Sequence, residues 1–462
     1  MSVDSAIVVL DVGKTNVKLL VLSRAGRILD ERKLENRSLS GPPYAHLDTD
    51  RIWQWMMQTI AELTGDYAID AIVPTTHGSS AALVDDKGLV LPVMDYEAQP
   101  PVDVAEAFDQ VRPSFDETKT PDLPQSQVVA MQLFWQQREF EEQFSRARWV
   151  LMYPQYWAWR LSGIVASELT SVGCHTHLWD PQRGQFSRLV DAMKWRPLFP
   201  EIRPAYEPLG PVFPEITRRT GLPAQCVVYN GIHDANSNYG LYLRNCPRPF
   251  SLISAGTWVV VMSPRLPLTA LNEDRDTVGL VDLTGSPLPT ARYMGGREFE
   301  LLTAGNHKQI EPSDEDVNAV IAARSFLLPS FVPGGPFTGR TGIEVGPRLD
   351  QPGQLTARAT LYLALMTTVE TTMLRTDGDL IIDGGFSNNR LYCRLVAALC
   401  RHDRIYINAN SQGTALGAGM LAVWQDKTIS WPPDLYPADP LEHPDLSDYA
   451  SQWNDLIKSE PG

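Results

Sequence analysis

Asp11 closes the aliphatic run Ile7-Val8-Val9-Leu10 and opens the polar stretch Asp11-Val12-Gly13-Lys14-Thr15-Asn16. A turn holding Gly13, Thr15 and Asn16 can aim backbone N–H groups and side-chain donors at phosphate oxygens. Asp11, at the strand end, is placed to hold a hydrated magnesium ion, which keeps most of its waters and takes few carboxylates. Lys14 or Lys18 can add positive charge beside the phosphates. The plainer alternative is a surface hairpin with a polar turn. Half a chain later the pattern returns: Leu252-Ile253, then Ser254-Ala255-Gly256-Thr257, then Trp258-Val259-Val260-Val261-Met262. Two such turns facing each other can grip one polyphosphate, and their spacing is compatible with a duplication.

Asp234 stands in Gly231-Ile232-His233-Asp234-Ala235-Asn236-Ser237, after a β-like run over residues 226–229. A carboxylate at a strand end can take the proton from an attacking hydroxyl. Phosphoryl transfer otherwise needs positioning and charge stabilisation, so one base suffices. Asp234 can equally be the N-cap of the helix that follows. In Asp383-Gly384-Gly385-Phe386-Ser387-Asn388-Asn389 the paired glycines let a flat base or a ribose approach the backbone, and Asn388 can bond an adenosine. The alternative is an ordinary strand-to-helix loop. His175 and His177 alternate like strand neighbours but have no third ligand nearby. The aromatic group Tyr153, Tyr156, Trp157 and Trp159 reads as core packing, with stacking on a sugar as the alternative. Gly334-Gly335-Pro336 is either a lid or a turn.

These residues need strand ends and turns to hold them, and the pattern supplies both. Residues 53–63, 355–374, 390–400 and 414–423 have helical spacing, while 69–73, 380–382 and 405–407 read as strands. Residues 81–84 and 89–93 flank Asp85-Asp86-Lys87-Gly88 as a hairpin. Strands alternating with helices indicate an α/β protein. The proline-rich stretch 326–347 reads as an ordered loop, and the acidic stretch 442–462 as peripheral. With 462 residues, 43% hydrophobic and 21% charged, the chain has material for two or three domains. A formal charge of −15, from 40 basic and 55 acidic side chains with no local basic patch, argues against a nucleic-acid partner. No apolar run approaches the roughly 18 residues of a membrane helix, so no membrane partner is expected. The N-terminus, with Asp4 before the apolar run and Asp11 after it, lacks the form of an export signal. Five cysteines, odd in number and without metal or redox spacing, suit free thiols in a reducing, cytoplasmic setting.

Taken in order, these segments resemble the FGGY family of carbohydrate kinases, and within it kinases of deoxy-ketoses such as L-fuculose and L-rhamnulose. The stretch from Asp11 to Lys18 is similar to the family's first phosphate motif, Gly231-Ile232-His233-Asp234 to its catalytic segment, and Ser254-Ala255-Gly256-Thr257-Trp258 to its second phosphate motif. Residues 383–389 are similar to the adenosine motif, and Gly413-Thr414-Ala415-Leu416-Gly417-Ala418 to the segment that closes it. Thr75-Thr76-His77-Gly78, with residues 82–88, resembles the sugar-side strands of fuculose kinases. The resemblance spans about residues 7–422.

It implies an α/β fold of two actin-like, ribonuclease H-like domains with an interdomain catalytic cleft. Residues 1–235 would form the sugar-binding side, 236–430 the nucleotide-binding side, and 431–462 a peripheral tail. It implies ATP and Mg2+, with Asp234 as base, Asp11 at the metal, and Gly13, Thr15, Asn16, Gly256 and Thr257 at the phosphates. Gly384, Gly385 and Asn388 would lie beside adenosine, and His77, Gly78 and His233 on the sugar side. Three positions depart from the family pattern. Lys14 stands where a small residue or threonine is usual, and Phe386 where a third glycine is. Met94-Asp95-Tyr96-Glu97-Ala98-Gln99 lacks the aromatic-x-Asp-x-Arg sugar signature, with Tyr96 as the stand-in aromatic and Asp95 or Glu97 as the carboxylate. The first two departures leave open a silent nucleotide- or sugar-binding regulatory member, and a plain ATPase is a third reading. A homodimer is left open as the assembly.

Overall fold

The computed structural model describes residues 5–246, 249–305, 310–400, 402 and 404–459; Asp4 and the last three residues of the acidic C-terminal stretch lie outside the described residues. The chain divides into two compact units, the first of residues 1–245, 279–287 and 413–432, the second of the remainder. Among the described residues no helix is long and apolar enough to cross a membrane.

The first unit is built on the strand Ser5–Val12. It pairs antiparallel with Asn16–Ser23 on one side and parallel with Ala68–Thr76 on the other. The sheet runs Pro208–Pro211, Val227–Tyr229, Ala68–Thr76, Ser5–Val12, Asn16–Ser23, Ile28–Glu35, and the short strand Ile232–His233 also pairs with Ala68–Thr76. Val8, Leu10 and Val12 share a core with Ile52, Met56 and Ile60 of the helix Thr49–Leu63. The intervening Ile7 and Val9 are buried as well. Both faces are covered, which is why the strand reads as a continuous apolar run rather than an alternation. Asp48 starts the helix by accepting a hydrogen bond from Arg51 N at 3.1 Å.

The second unit repeats this plan. Its sheet order is Thr277–Val281, Pro287–Tyr293, Val259–Met262, Phe250–Ala255, Asp379–Asp383, Arg404–Asn408, Leu435–Pro437. In each sheet an antiparallel hairpin lies beside a parallel strand, then a second parallel strand, then an antiparallel edge strand. The likeness of the two hairpins thus extends to the whole topology.

The long helices form as Thr49–Leu63, Pro352–Met373, Arg390–Leu399 and Gly413–Met420. Three expectations need correction. The hairpin around residues 85–88 forms, Ala81–Asp85 pairing with Gly88–Leu89, but its second strand ends at Leu89 rather than at 93, and Ala81–Asp85 also pairs with Trp149–Met152. The loop 326–347 contains a short antiparallel pair, Phe326–Leu328 with Ile343–Val345. By compactness the first unit runs to Asn245, and residues 413–432 return to it. The cause is the packing of the helix Asp234–Asn245 on Gly413–Met420, where Ser237 Oγ donates to Thr414 O at 2.7 Å. Lastly, the C-terminal stretch is no loose tail. Its helix Leu446–Ser459 buries Leu446, Tyr449, Trp453 and Ile457, and Trp453 Nε1 donates to Leu327 O at 2.7 Å.

Trp453 is fully buried, so Trp453→Ala should cost about 3–5 kcal/mol through the cavity it leaves. Urea denaturation measures this, and a loss below about 1 kcal/mol, the size of an ordinary substitution effect, would show that the helix contributes little to its unit.

Candidate functional site

Three strand ends define the site in the first unit. Asp11 pairs with Thr75 from one side of Ala68–Thr76, and Ile232 pairs with Thr75 from the other. All three strands run parallel, so Asp11, His77 and Asp234 emerge at the same end. Neighbouring strands lie about 4.8 Å apart, which puts the backbones bearing Asp11 and Asp234 about 10 Å from each other. Gly231 makes this possible: its φ is +84°, and a Cβ there would lie 2.5 Å from Pro74 O.

Asp234 opens the helix Asp234–Asn245 and accepts a hydrogen bond from Ala235 N at 2.7 Å. His233 Nε2 lies 3.1 Å from Asp234 Oδ1, while Nδ1 meets Asn236 Oδ1 at 2.7 Å. Burial first, and then the charge of Asp234, raise the Asp11 carboxyl to about 7, against the smaller opposing pull of Lys18. A divalent cation is what would relieve such a pair. Among the described residues no group of three or more His, Cys, Asp or Glu forms a protein cage for a metal. One or two carboxylates with room for water is a donor set that suits magnesium.

The turn after Asp11 is closed by Gly13 N to Asn16 O at 2.9 Å, and Asn36 Nδ2 donates to Gly13 O at 2.8 Å. His77 Nδ1 donates to Gly78 O at 2.6 Å, and its buried Nε2 has no hydrogen-bond partner among the described residues. Burial foremost lowers its pKa, leaving a neutral imidazole with a free acceptor. Gly78 packs against His233, whose Nε2 lies 3.0 Å from where a Cβ would stand. His77 meets Tyr96 edge-on at 5.3 Å and Tyr153 at 5.2 Å. Lys14 bonds Asp95 and reaches Glu97 at 3.0 Å. Burial alone would raise the Asp95 carboxyl, but bonds from Lys14, Ser38 and Glu97 N together hold it below its ordinary value.

In the second unit, Gly256 and Thr257 form the turn between Phe250–Ala255 and Val259–Met262, with Thr257 exposed. Gly384 and Gly385 follow the adjacent parallel strand Asp379–Asp383, and Asn388 is exposed at the end of the short 3-10 turn Gly385–Asn388. Gly384 has φ +89°, and a Cβ there would lie 2.6 Å from Ala255 O, so only glycine lets this loop approach the hairpin. Phe386 fills a place among Phe299 and Tyr392, at 5.3 and 5.5 Å.

The sequence-predicted residues thus fall into two groups. Asp11, Gly13, Thr15, Asn16, His77, Gly78, Asp95, Tyr96, Glu97, His233 and Asp234 belong to the first unit, and Gly256, Thr257, Gly384, Gly385 and Asn388 to the second. One feature escaped the sequence reading. The helix Gly295–Leu302 starts against the second turn, Gly296 N donating to Thr257 O at 3.1 Å. The doublet Gly295-Gly296 after a strand was the available signal.

His175 and His177 are not strand neighbours: they lie in a turn where His177 has φ 59°, and His177 bonds Thr118 Oγ1 at 2.9 Å. Tyr153, Tyr156 and Trp157 are core residues, buried to 1% or less. Gly335 N is pinned to Asp276 Oδ2 at 3.0 Å. Cys174, Cys226, Cys393 and Cys400 are buried free thiols and Cys246 a half-buried one.

Residues 6–239 match the family described as "FGGY family of carbohydrate kinases, N-terminal domain", and residues 247–430 match "Carbohydrate kinase FGGY, C-terminal domain". An L-fuculokinase of Salmonella typhi is 26% identical over 265 residues, 55% of this chain and 56% of the relative. The match thus spans about half the length of that curated relative. A carbohydrate kinase structure from Novosphingobium aromaticivorans superposes with a TM-score of 0.87 at 29% identity, covering 99% of both chains. A ligand-bound xylulose kinase from Lactobacillus acidophilus shares the fold, with a TM-score of 0.78 at 16% identity over 98% of this chain and 96% of its own.

The carboxylate coupling is directly measurable. In the metal-free chain, Asp234→Asn should bring the Asp11 carboxyl down from about 7, as read by an NMR titration of its carboxyl carbon. An unchanged titration would assign the whole shift to burial.

Proposed function

The chain belongs to the FGGY family of carbohydrate kinases, and from that premise we propose that it transfers the γ-phosphoryl group of ATP to a hydroxyl of a ketose. The preferred substrate class is a deoxy-ketose such as L-fuculose or L-rhamnulose. The relatives named L-fuculokinase favour fuculose. The observation that carries the reading is the pair Asp11 and Asp234, held at like ends of strands on either side of Ala68–Thr76.

In this reading Asp234 accepts the proton of the sugar hydroxyl as the P–O bond forms. Its partial exposure, 35% of the side chain, leaves it open to an incoming hydroxyl. His233, against Asp234 and fixed by Asn236, keeps the carboxylate oriented. His77 offers its unpartnered Nε2 as acceptor to a second hydroxyl, beside Gly78 and the ring of Tyr96. Glu97, with a side chain 56% exposed, remains available to the sugar, whereas Asp95 is 3% exposed and already bonded.

Gly13, Thr15 and Asn16 donate to phosphate oxygens from the first turn, and Gly256 and Thr257 from the second. Gly384, Gly385 and Asn388 receive the adenosine. Asp11 would hold magnesium, which when bound would supply charge compensation at the phosphates. The first unit is assigned the sugar and the second the nucleotide. Both departures from the family pattern have structural partners, Lys14 with Asp95 and Phe386 with Phe299 and Tyr392, and neither removes a proposed reacting group.

The test is kinetic. Asp234→Ala should lower ketose phosphorylation by about 10²–10⁴-fold, the usual contribution of a general base, with ATP affinity retained by calorimetry. Full activity in the variant would remove Asp234 from the chemistry.

A further inference from the structure

Lys14 sits in the turn assigned to phosphate, yet its ammonium group is committed elsewhere. It bonds Asp95 Oδ1 and lies 3.0 Å from Glu97 Oε2. It also stands 4.7 Å over the ring of Tyr96, the residue between those two acids. An ammonium has three donors. Two carboxylates and a ring face occupy its surroundings, and the group keeps little capacity for a phosphate.

The other end of the contact is equally constrained. Asp95 is 3% exposed, and its Oδ1 also accepts Glu97 N at 2.9 Å. Its backbone is tied to Ala45 O at 2.9 Å. The segment Met94-Asp95-Tyr96-Glu97-Ala98-Gln99 carries two acids and no cation of its own. Without Lys14, a buried carboxylate would face a second one with only the neutral donors Ser38 and Glu97 N beside it, and the segment would have to rearrange. Tyr96 would move with it, and Tyr96 packs on His77, whose Nε2 is unpartnered.

We infer that Lys14 is a positioning residue for the sugar: reaching 81 positions along the chain from the turn after Asp11, it supplies the cation that segment 94–99 lacks and sets the pose of Tyr96 and His77. The inference rests on the kinase reading above. It separates Lys14 from its neighbours Gly13, Thr15 and Asn16, which face phosphate. It also gives the turn a mechanical link to the sugar side, so that a sugar ordering Tyr96 orders the turn as well.

The experiment compares Lys14→Met, Lys14→Arg, Asp95→Asn and the double variant Lys14→Met/Asp95→Asn. Sugar is varied at saturating ATP, then ATP at saturating sugar, with the ketose that gives the wild type its highest turnover. Lys14→Met should raise the sugar KM about ten-fold or more and leave the ATP KM within about three-fold, since uniform loss of sugar binding appears in KM for that substrate. Lys14→Arg should recover most of the loss. The double variant should be no worse than its poorer parent, because the two residues act as one contact. A rise confined to the ATP KM would overturn the inference and return Lys14 to the phosphates. Equal losses in the Arg and Met variants, or losses that follow only the melting temperature, would overturn it in favour of plain packing. A wild type with no ketose-dependent ADP formation would overturn the kinase reading itself, and this inference with it.

Discussion

Two carboxylates of like charge, Asp11 and Asp234, are held at the ends of strands that flank Ala68–Thr76. Left alone they repel, and with burial this keeps Asp11 protonated up to about pH 7. A fold tolerates such a pair only where its scaffold fixes both groups. Here the scaffold is a parallel three-strand arrangement, a glycine at 231 that brings the third strand in, and a helix whose first residue is Asp234 itself. The electrostatic tension is discharged by a cation, by a proton moving onto Asp234, or by both. This tension is what makes the pair suit the phosphoryl transfer proposed for the chain.

The same topology serves both units. A hairpin beside a parallel strand places a polar turn next to a strand-end loop: residues 13–16 beside His77 in the first unit, and Gly256-Thr257 beside Gly384-Gly385 in the second. The repeated plan supplies turns with donors, while single substitutions set what each turn does. In the first unit the turn carries an aspartate at its entry. In the second, a helix N-terminus at Gly296 backs the turn. One architecture thus yields two turns of different make-up, one with an aspartate at its entry and one with a helix start behind it.

Much of this was legible in the sequence because the relevant signals are local. The hairpins are β-rich runs broken by glycine and short polar residues, and Asp11, Asp234, Gly384 and Gly385 stand where those runs end. What was hidden is long-range. Nothing in the spacing around Lys14 names Asp95 as its partner, since the contact depends on how the Asp11 turn and residue 95 fold together. The return of residues 413–432 to the first unit is likewise decided by a helix pair far apart in the chain. The C-terminal helix is a different case. Leu446, Tyr449, Trp453 and Ile457 have helical spacing, but the acidity of the stretch outweighed the stripe.

The central claim is that the carboxylate pair directs the phosphoryl group to a sugar rather than to water. The most direct measurement is the fate of label from ATP carrying ³²P in the γ position, incubated with magnesium and a panel of ketoses and polyols. The account predicts label in an acid-stable organic phosphate ester formed only with particular sugars, with slow release of inorganic phosphate when no sugar is present. Label recovered only as inorganic phosphate, at a rate indifferent to the sugar, would contradict it.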